Sequence, residues 1–216
     1  MSEDERVERP GLVARIRSRQ SGHPSGVLGR FIGRAMVRAT QAHNDRGLEL
    51  LALGAPSTVL EIGYGQGRTA ERLLDAGHRV LGADVSETVR RQATARNRAA
   101  TRDGRARFAV GDGRLVPFDQ DDADAAFCVH ALYFMDDPAT TLDEIGRVVR
   151  AGGRFVLCCH VGDDPIPAWA DPTVYRIPPR HRIESMLTDA GFVLVHHEDD
   201  GPGDFPTHWF VAERRV

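Results

Sequence analysis

The segment VLEIGYGQGRTAERLLDAG, Val59–Gly77, decides how this chain is read. An apolar run ends in three alternate glycines, Gly63, Gly65 and Gly67. A segment of helical spacing follows, Arg68–Ala76, closed by Gly77. A strand passing through a glycine turn into a helix lets backbone N–H groups come close to a ligand. The dinucleotide fingerprint GxGxxG fits poorly, because the spacing here is GxGxG and Arg68 holds the place of the third fingerprint glycine. Just ahead of the turn stands Glu61. A carboxylate there repels a pyrophosphate and favours a ligand that carries positive charge.

Outward from that turn, apolar runs alternate with helical segments. Thr58–Ile62, Arg79–Ala83, Arg107–Val110, Ala123–Val129 and Arg154–Cys159 read as strands. Between them, Glu87–Ala100 follows Ser86 as an N-cap, and Ala139–Arg150 is entered through Asp137 and Pro138. Repeated strand–helix–strand units imply right-handed crossovers and a mostly parallel sheet covered on both faces. His160–Pro179, with five prolines, reads as a long loop at the strand C-termini, the edge where open α/β sheets bind ligands. A helix, Arg180–Ala190, and two strands, Val193–His197 and Thr207–Ala212, complete the chain. The turn-rich EDDGPGDFP between those strands lets them pair antiparallel.

Ahead of the sheet, residues 1–25 read as loosely ordered, while Val27–Arg38 and Gln41–Leu53 can form helices. The expected organisation is one domain over residues 26–216. It comprises a helical lid over 26–54, a binding core over 55–160, and a C-terminal loop, helix and strands over 161–216.

Composition narrows the chemistry. The chain has 216 residues, 41% of them hydrophobic, enough for one sizeable core. A formal charge of −3 gives no basic field to draw nucleic acid or an anionic membrane. No apolar run is long enough to span a bilayer. The acidic start, MSEDERVERP, resembles neither a secretory signal nor a transit peptide, so a cytoplasmic location is expected. The three cysteines, Cys128, Cys158 and Cys159, lack CxxC spacing and read as reduced thiols in strands. Every Lys or Arg position is arginine. With no lysine, Schiff-base chemistry and the phosphate-gripping GxxxxGK[ST] loop are both excluded.

The pattern E-x-G-x-G-x-G after a strand resembles motif I of the class I S-adenosylmethionine-dependent methyltransferases. Further motifs follow in that family's order from about Val59 to Phe155: LGADVS with Asp84, GDGRLVPF with Asp112, DAAFCVHALYFMDDP, and EIGRVVRAGGRF. The resemblance is nearest to the small-molecule enzymes of ubiquinone and menaquinone biosynthesis. It implies a Rossmann-like, doubly wound, seven-stranded and mostly parallel sheet, with an antiparallel C-terminal strand and N-terminal lid helices. It also implies S-adenosylmethionine as cofactor, S-adenosylhomocysteine as product and a small-molecule methyl acceptor.

Within that resemblance, Gly63 and Gly65 border the cofactor and Gly67 serves helix packing. Asp84 accepts the ribose hydroxyls with Val85 beside it, and Asp112 reads the adenine amino group with Gly113 alongside. Glu61 either meets the cofactor's ammonium through water or caps the turn. Tyr64 either sets its ring against the sulfonium as a cation–π partner or is a partly exposed turn residue. Asp124 fixes the start of a strand. His130 either takes a proton from the acceptor or touches the cofactor with its backbone; it is the candidate base. Tyr133 and His160 lie at the same edge, and Phe31 and Trp169 either line an acceptor pocket or pack. His181, His196, His197 and His208 show no metal-ligand spacing. A nicotinamide-dependent oxidoreductase and a non-catalytic S-adenosylmethionine-binding protein are the rival readings.

Overall fold

In a computed structural model, which describes residues 40–54 and 56–216, seven strands form one sheet in the order β3-β2-β1-β4-β5-β7-β6. The strands are β1 (Thr58–Ile62), β2 (Arg79–Asp84), β3 (Ala106–Val110), β4 (Ala123–Val129), β5 (Val149–Cys159), β6 (Phe192–Asp199) and β7 (His208–Arg214). β1 to β5 pair in parallel, and β7 lies antiparallel between β5 and β6. The expected sheet is therefore present, with β7 as its antiparallel strand.

Alternation along the strands sorts the core into two layers. Leu60, Ile62, Ala126, Cys128, Phe155, Leu157 and Phe210 pack on one face with α5 (Pro138–Val148) and α6 (Arg180–Asp189). Val59, Ala125, Phe127, Val156, Trp209 and Val211 pack on the other with α1 (Gln41–Leu51) and α2 (Arg68–Asp75). Glu61 falls in the register of Val59 and is buried on that second face.

Helix α1 sits close on the sheet because Gly47 has no side chain: a Cβ there would lie 2.5 Å from the Phe127 ring. Trp209 Nε1 donates to the His43 carbonyl, and Arg46 pairs with Glu198 at 2.6 Å, so α1 is pinned to β7 and β6 as well. Asp124 fixes a strand start as expected. One oxygen accepts the Thr58 N–H and the other pairs with Arg150.

Two helices differ from their sequence pattern. The run over 87–100 splits into α3 (Glu87–Arg96) and α4 (Arg98–Arg102) at Asn97, whose Nδ2 donates to the carbonyls of Gly67 and Ala93. This side chain competes with the helix for backbone acceptors. Helix α5 stops at Val148, and Val149–Cys159 is strand throughout, joined to β4 with a register shift between Ala123 and Ala125. The 27–38 helix, the 1–25 segment and Phe31 lie outside the described residues. Among the described residues, no helix is long and apolar enough to cross a membrane.

Candidate functional site

The ends of β1, β2 and β3 carry the glycine turn and the acids. Glu61 is 4% exposed, and its Oε2 has no hydrogen-bond partner among the described residues. Burial, with Asp84 nearby, pushes its carboxyl up to about 8, against a lowering contact from Thr69. Held that high, the carboxyl is largely protonated at neutral pH.

The three glycines do different work. A Cβ on Gly67, at φ +71°, would lie 2.7 Å from Asn97 Nδ2 and 3.0 Å from Ala93 Cα, so this position lets α2 meet α3. Gly63 abuts Ala131. Gly65, at φ +52°, has no described residue within 4 Å of where its Cβ would stand, so among the described residues the turn is open there. Asp84 holds this open turn in place: Oδ2 accepts the Gly65 N–H at 3.1 Å and Oδ1 accepts the Ser86 N–H at 3.0 Å.

Tyr64 needs correction. Its ring is buried rather than exposed, and it does not face the turn as a cation–π partner. It fills the space over Gly82, where a Cβ would come within 2.6 Å of it. The ring centroid lies 5.0 Å from Phe108, and the hydroxyl donates to the Ala109 carbonyl at 3.0 Å. A glycine in β2 has drawn the tyrosine into the core.

Further along the same edge, Asp112 binds the Arg114 side chain at 2.7 Å and its N–H at 3.1 Å, which lowers its pKa. Its Oδ2 meets both Nε and Nη2 of Arg114, while Oδ1 accepts the Arg114 N–H and keeps a lone pair for another donor. Gly113 packs against Thr141, with 2.8 Å to Cγ2 from an added Cβ. Val85, Val110 and Leu115 are exposed, Leu115 by 78%, so this edge presents apolar surface beside its acids.

At the ends of β4 and β5 the chemistry changes. His130, in the left-handed region at φ +52°, has both ring nitrogens engaged: Nε2 lies 2.7 Å from His43 Nδ1 and Nδ1 lies 3.0 Å from the Tyr133 hydroxyl. Burial, then His160 and His43, hold its pKa well below the usual histidine range. His130 is neutral and buried, with no nitrogen open to a ligand. The expectation of a direct base there is corrected.

The nitrogen that is open belongs to His160. Its Nδ1–H donates to the Pro206 carbonyl at 2.7 Å, which leaves Nε2 as the lone-pair nitrogen, with no hydrogen bond among the described residues. Burial brings this ring down to about 4. His160 stacks on Phe205 at 3.4 Å and on Tyr133 at 5.5 Å, and Tyr133 stacks on Tyr175 at 5.4 Å. Trp169 meets Tyr175 and Phe205 edge-on. The result is an aromatic wall holding one imidazole lone pair.

Glu61, Gly65, Asp84 and Asp112 thus share one edge, and His130, Tyr133, His160 and Trp169 share the other. The pattern had not singled out His43, Phe205, Tyr175 or Asp200. His43 Nε2 lies 3.6 Å from Asp200 Oδ2, and His208 pairs with Asp164 at 2.6 Å. Among the described residues no group of His, Cys, Asp and Glu could hold a metal ion.

The acid-lined edge fits a cationic nucleoside on this structure's own terms. Among the described residues a buried carboxyl oxygen lacks a partner, the turn at Gly65 is open, and exposed apolar residues adjoin two carboxylates.

Residues 60–157 match a family described as a methyltransferase domain. The chain is 34% identical over 182 residues to demethylmenaquinone methyltransferase of Clavibacter sepedonicus, covering 71% of this chain and 73% of the relative. It is 26% identical over 174 residues to O-methyltransferase resE of Aspergillus sclerotiorum, covering 77% and 66%. Geranyl diphosphate C-methyltransferase from Streptomyces coelicolor A3(2) superposes with a TM-score of 0.71 at 18% identity, over 90% of this chain and 87% of that one. The [4+2]-cyclase SpnF superposes at 0.70 and 22%, over 83% and 82%. A fold shared with a cyclase does not by itself name a reaction.

Proposed function

The chain belongs to the class I S-adenosylmethionine-dependent methyltransferases, and from that premise we propose that it methylates a small, flat acceptor bearing an O–H or N–H donor. One observation carries the cofactor half of this reading: the Oε2 of buried Glu61, without a partner among the described residues, on the strand that leads into the turn at Gly65. A cationic ammonium there would ionise the carboxyl and supply its missing partner.

In this reading Asp84 accepts the ribose hydroxyls, Asp112 accepts the adenine amino group, and Val85 and Leu115 cover the base. When bound, the cofactor supplies a methyl group on a sulfonium, an excellent leaving group. The protein's own work is to align the acceptor and exclude water.

The acceptor half rests on the aromatic wall and on His160. A ring-shaped acceptor matches stacked Tyr133, His160 and Phe205, and its donor finds the Nε2 lone pair. With a pKa of about 4, His160 orients that donor but is too weak a base to carry its proton away at neutral pH. An aromatic wall that carries an imidazole lone pair favours an enzyme over a non-catalytic binding protein.

Methyl incorporation from S-[methyl-³H]adenosylmethionine into a panel of phenols and matched benzoic acids tests the reading. Turnover of phenols is expected. Methylation of the acids alone would contradict it.

A further inference from the structure

We infer that Asp200 and His43 are positioning residues that fix the proton order of a relay, Tyr133–His130–His43–Asp200, and that this relay takes up the proton an acceptor releases. The inference rests on the methyltransferase reading and deepens it. Three contacts define the relay: Tyr133 hydroxyl to His130 Nδ1 at 3.0 Å, His130 Nε2 to His43 Nδ1 at 2.7 Å, and His43 Nε2 to Asp200 Oδ2 at 3.6 Å.

Each of the two hydrogen bonds holds one proton, so only two concerted orders exist, and the Asp200 carboxylate beyond them selects between the two. In one, Tyr133 donates to His130, His130 donates to His43, and His43 turns its Nε2–H toward Asp200. In the other every donor is reversed, and His43 Nε2 turns a lone pair toward a carboxylate. A carboxylate offers only lone pairs, so the first order prevails.

That order has a chemical consequence. With its proton directed at His130, the Tyr133 oxygen offers lone pairs, as His160 Nε2 does beside it. These two groups of the aromatic wall are then acceptors, suited to an O–H or N–H and unsuited to a carboxylate. When an acceptor hydroxyl releases its proton to the Tyr133 oxygen, the Tyr133 proton moves to His130 Nδ1. The His130 proton moves from Nε2 to His43 Nδ1, and the His43 Nε2 proton passes to Asp200 or to water. The acceptor oxygen keeps the electron pair, no electron is transferred, and each imidazole ends neutral. Asp200 is partly exposed at 38%, so the relay opens to solvent at that end.

The structure also supplies a variant that reverses the relay. Asp200 Oδ1 accepts the Thr207 N–H at 2.8 Å. In Asp200→Asn the amide oxygen keeps that bond, which leaves the amide NH₂ facing His43 Nε2. A donor now meets a donor, and both imidazoles must change tautomer.

Histidine ¹⁵N–¹H long-range NMR reads this directly on the full chain saturated with S-adenosylhomocysteine. In the wild type, His43 and His130 are expected as Nε2–H tautomers. In Asp200→Asn both are expected as Nδ1–H, with His160 unchanged. Tyr133→Phe, which cuts the far end, is expected to leave His43 as Nε2–H. A wild-type His130 in the Nδ1–H form overturns the inference, as does a folded Asp200→Asn protein with unchanged tautomers. Failure to bind S-adenosylhomocysteine would instead strike the methyltransferase reading, and calorimetry registers it separately.

Discussion

The two halves of this sheet edge are built from different materials. At β1–β3 the site is backbone and carboxylate, and its parts follow one another along the chain from Glu61 through Gly65 and Asp84 to Asp112. At β4–β7 it is imidazole and aromatic ring, assembled from α1, the ends of β4 and β5, the proline-rich loop and the β6–β7 turn. The first half offers negative charge and an open turn to a cation. The second offers neutral lone pairs, since burial keeps His130 and His160 uncharged. The difference teaches that one sheet edge can hold two opposite electrostatic environments, which the proposed reading assigns to cofactor and acceptor.

Variants on either side should separate these roles. Asp84→Ala removes the proposed ribose acceptor and frees the Gly65 and Ser86 N–H groups, so the Kd for S-adenosylhomocysteine should rise about 100-fold, or roughly 2.7 kcal/mol. His160→Ala should leave that Kd unchanged while kcat/KM for a phenolic acceptor falls roughly 30-fold, the effect of one buried hydrogen bond worth about 2 kcal/mol. Calorimetry and the tritium assay, run on both variants, check the pair. If both variants lowered cofactor affinity alike, the division between the halves would be lost.

Glu61 gives a smaller effect with a definite sign. Its folded value near 8 lies above the ordinary 4.5, so the stability of the protonated form is full below about 4.5 and is lost as pH rises toward 8. Glu61→Gln should flatten the fall in Tm between pH 5 and 8, measured by scanning calorimetry. Cofactor binding at pH 7 should release a proton, seen as a binding enthalpy that changes with buffer ionisation heat. Equal enthalpies in phosphate and Tris would remove Glu61 from the cation's surroundings.

The smallest effect sharpens the correction at Tyr64. Tyr64→Phe loses one hydrogen bond to Ala109, so stability should drop by about 1 kcal/mol in urea denaturation, with cofactor affinity unchanged. A weakened Kd would return the ring to the ligand.

The same contrast explains what the sequence could tell. The strand–turn–helix, Asp84 and Asp112 are local, and each sits at a strand end that periodicity locates, so the first half was legible. The histidine half depends on contacts such as His43 to His130, 87 residues apart, and on β7 entering between β5 and β6. That insertion carries Phe205 and Pro206 to His160 and sets Asp200 near His43, and no spacing rule announces it. His130 was singled out for its place after β4, but its engagement on both nitrogens needed the folded neighbours. The burial of Tyr64 and the helix break at Asn97 escape the pattern for a related reason: Gly82 and the Gly67 carbonyl, which draw these side chains inward, lie on other elements.

The most direct test is a crystal structure with S-adenosylhomocysteine bound. The account predicts the ribose on Asp84, the ammonium beside Glu61, and the sulfur directed toward the wall of Tyr133 and His160. A ligand whose sulfur faces away from that wall, or whose ammonium avoids Glu61, would contradict it.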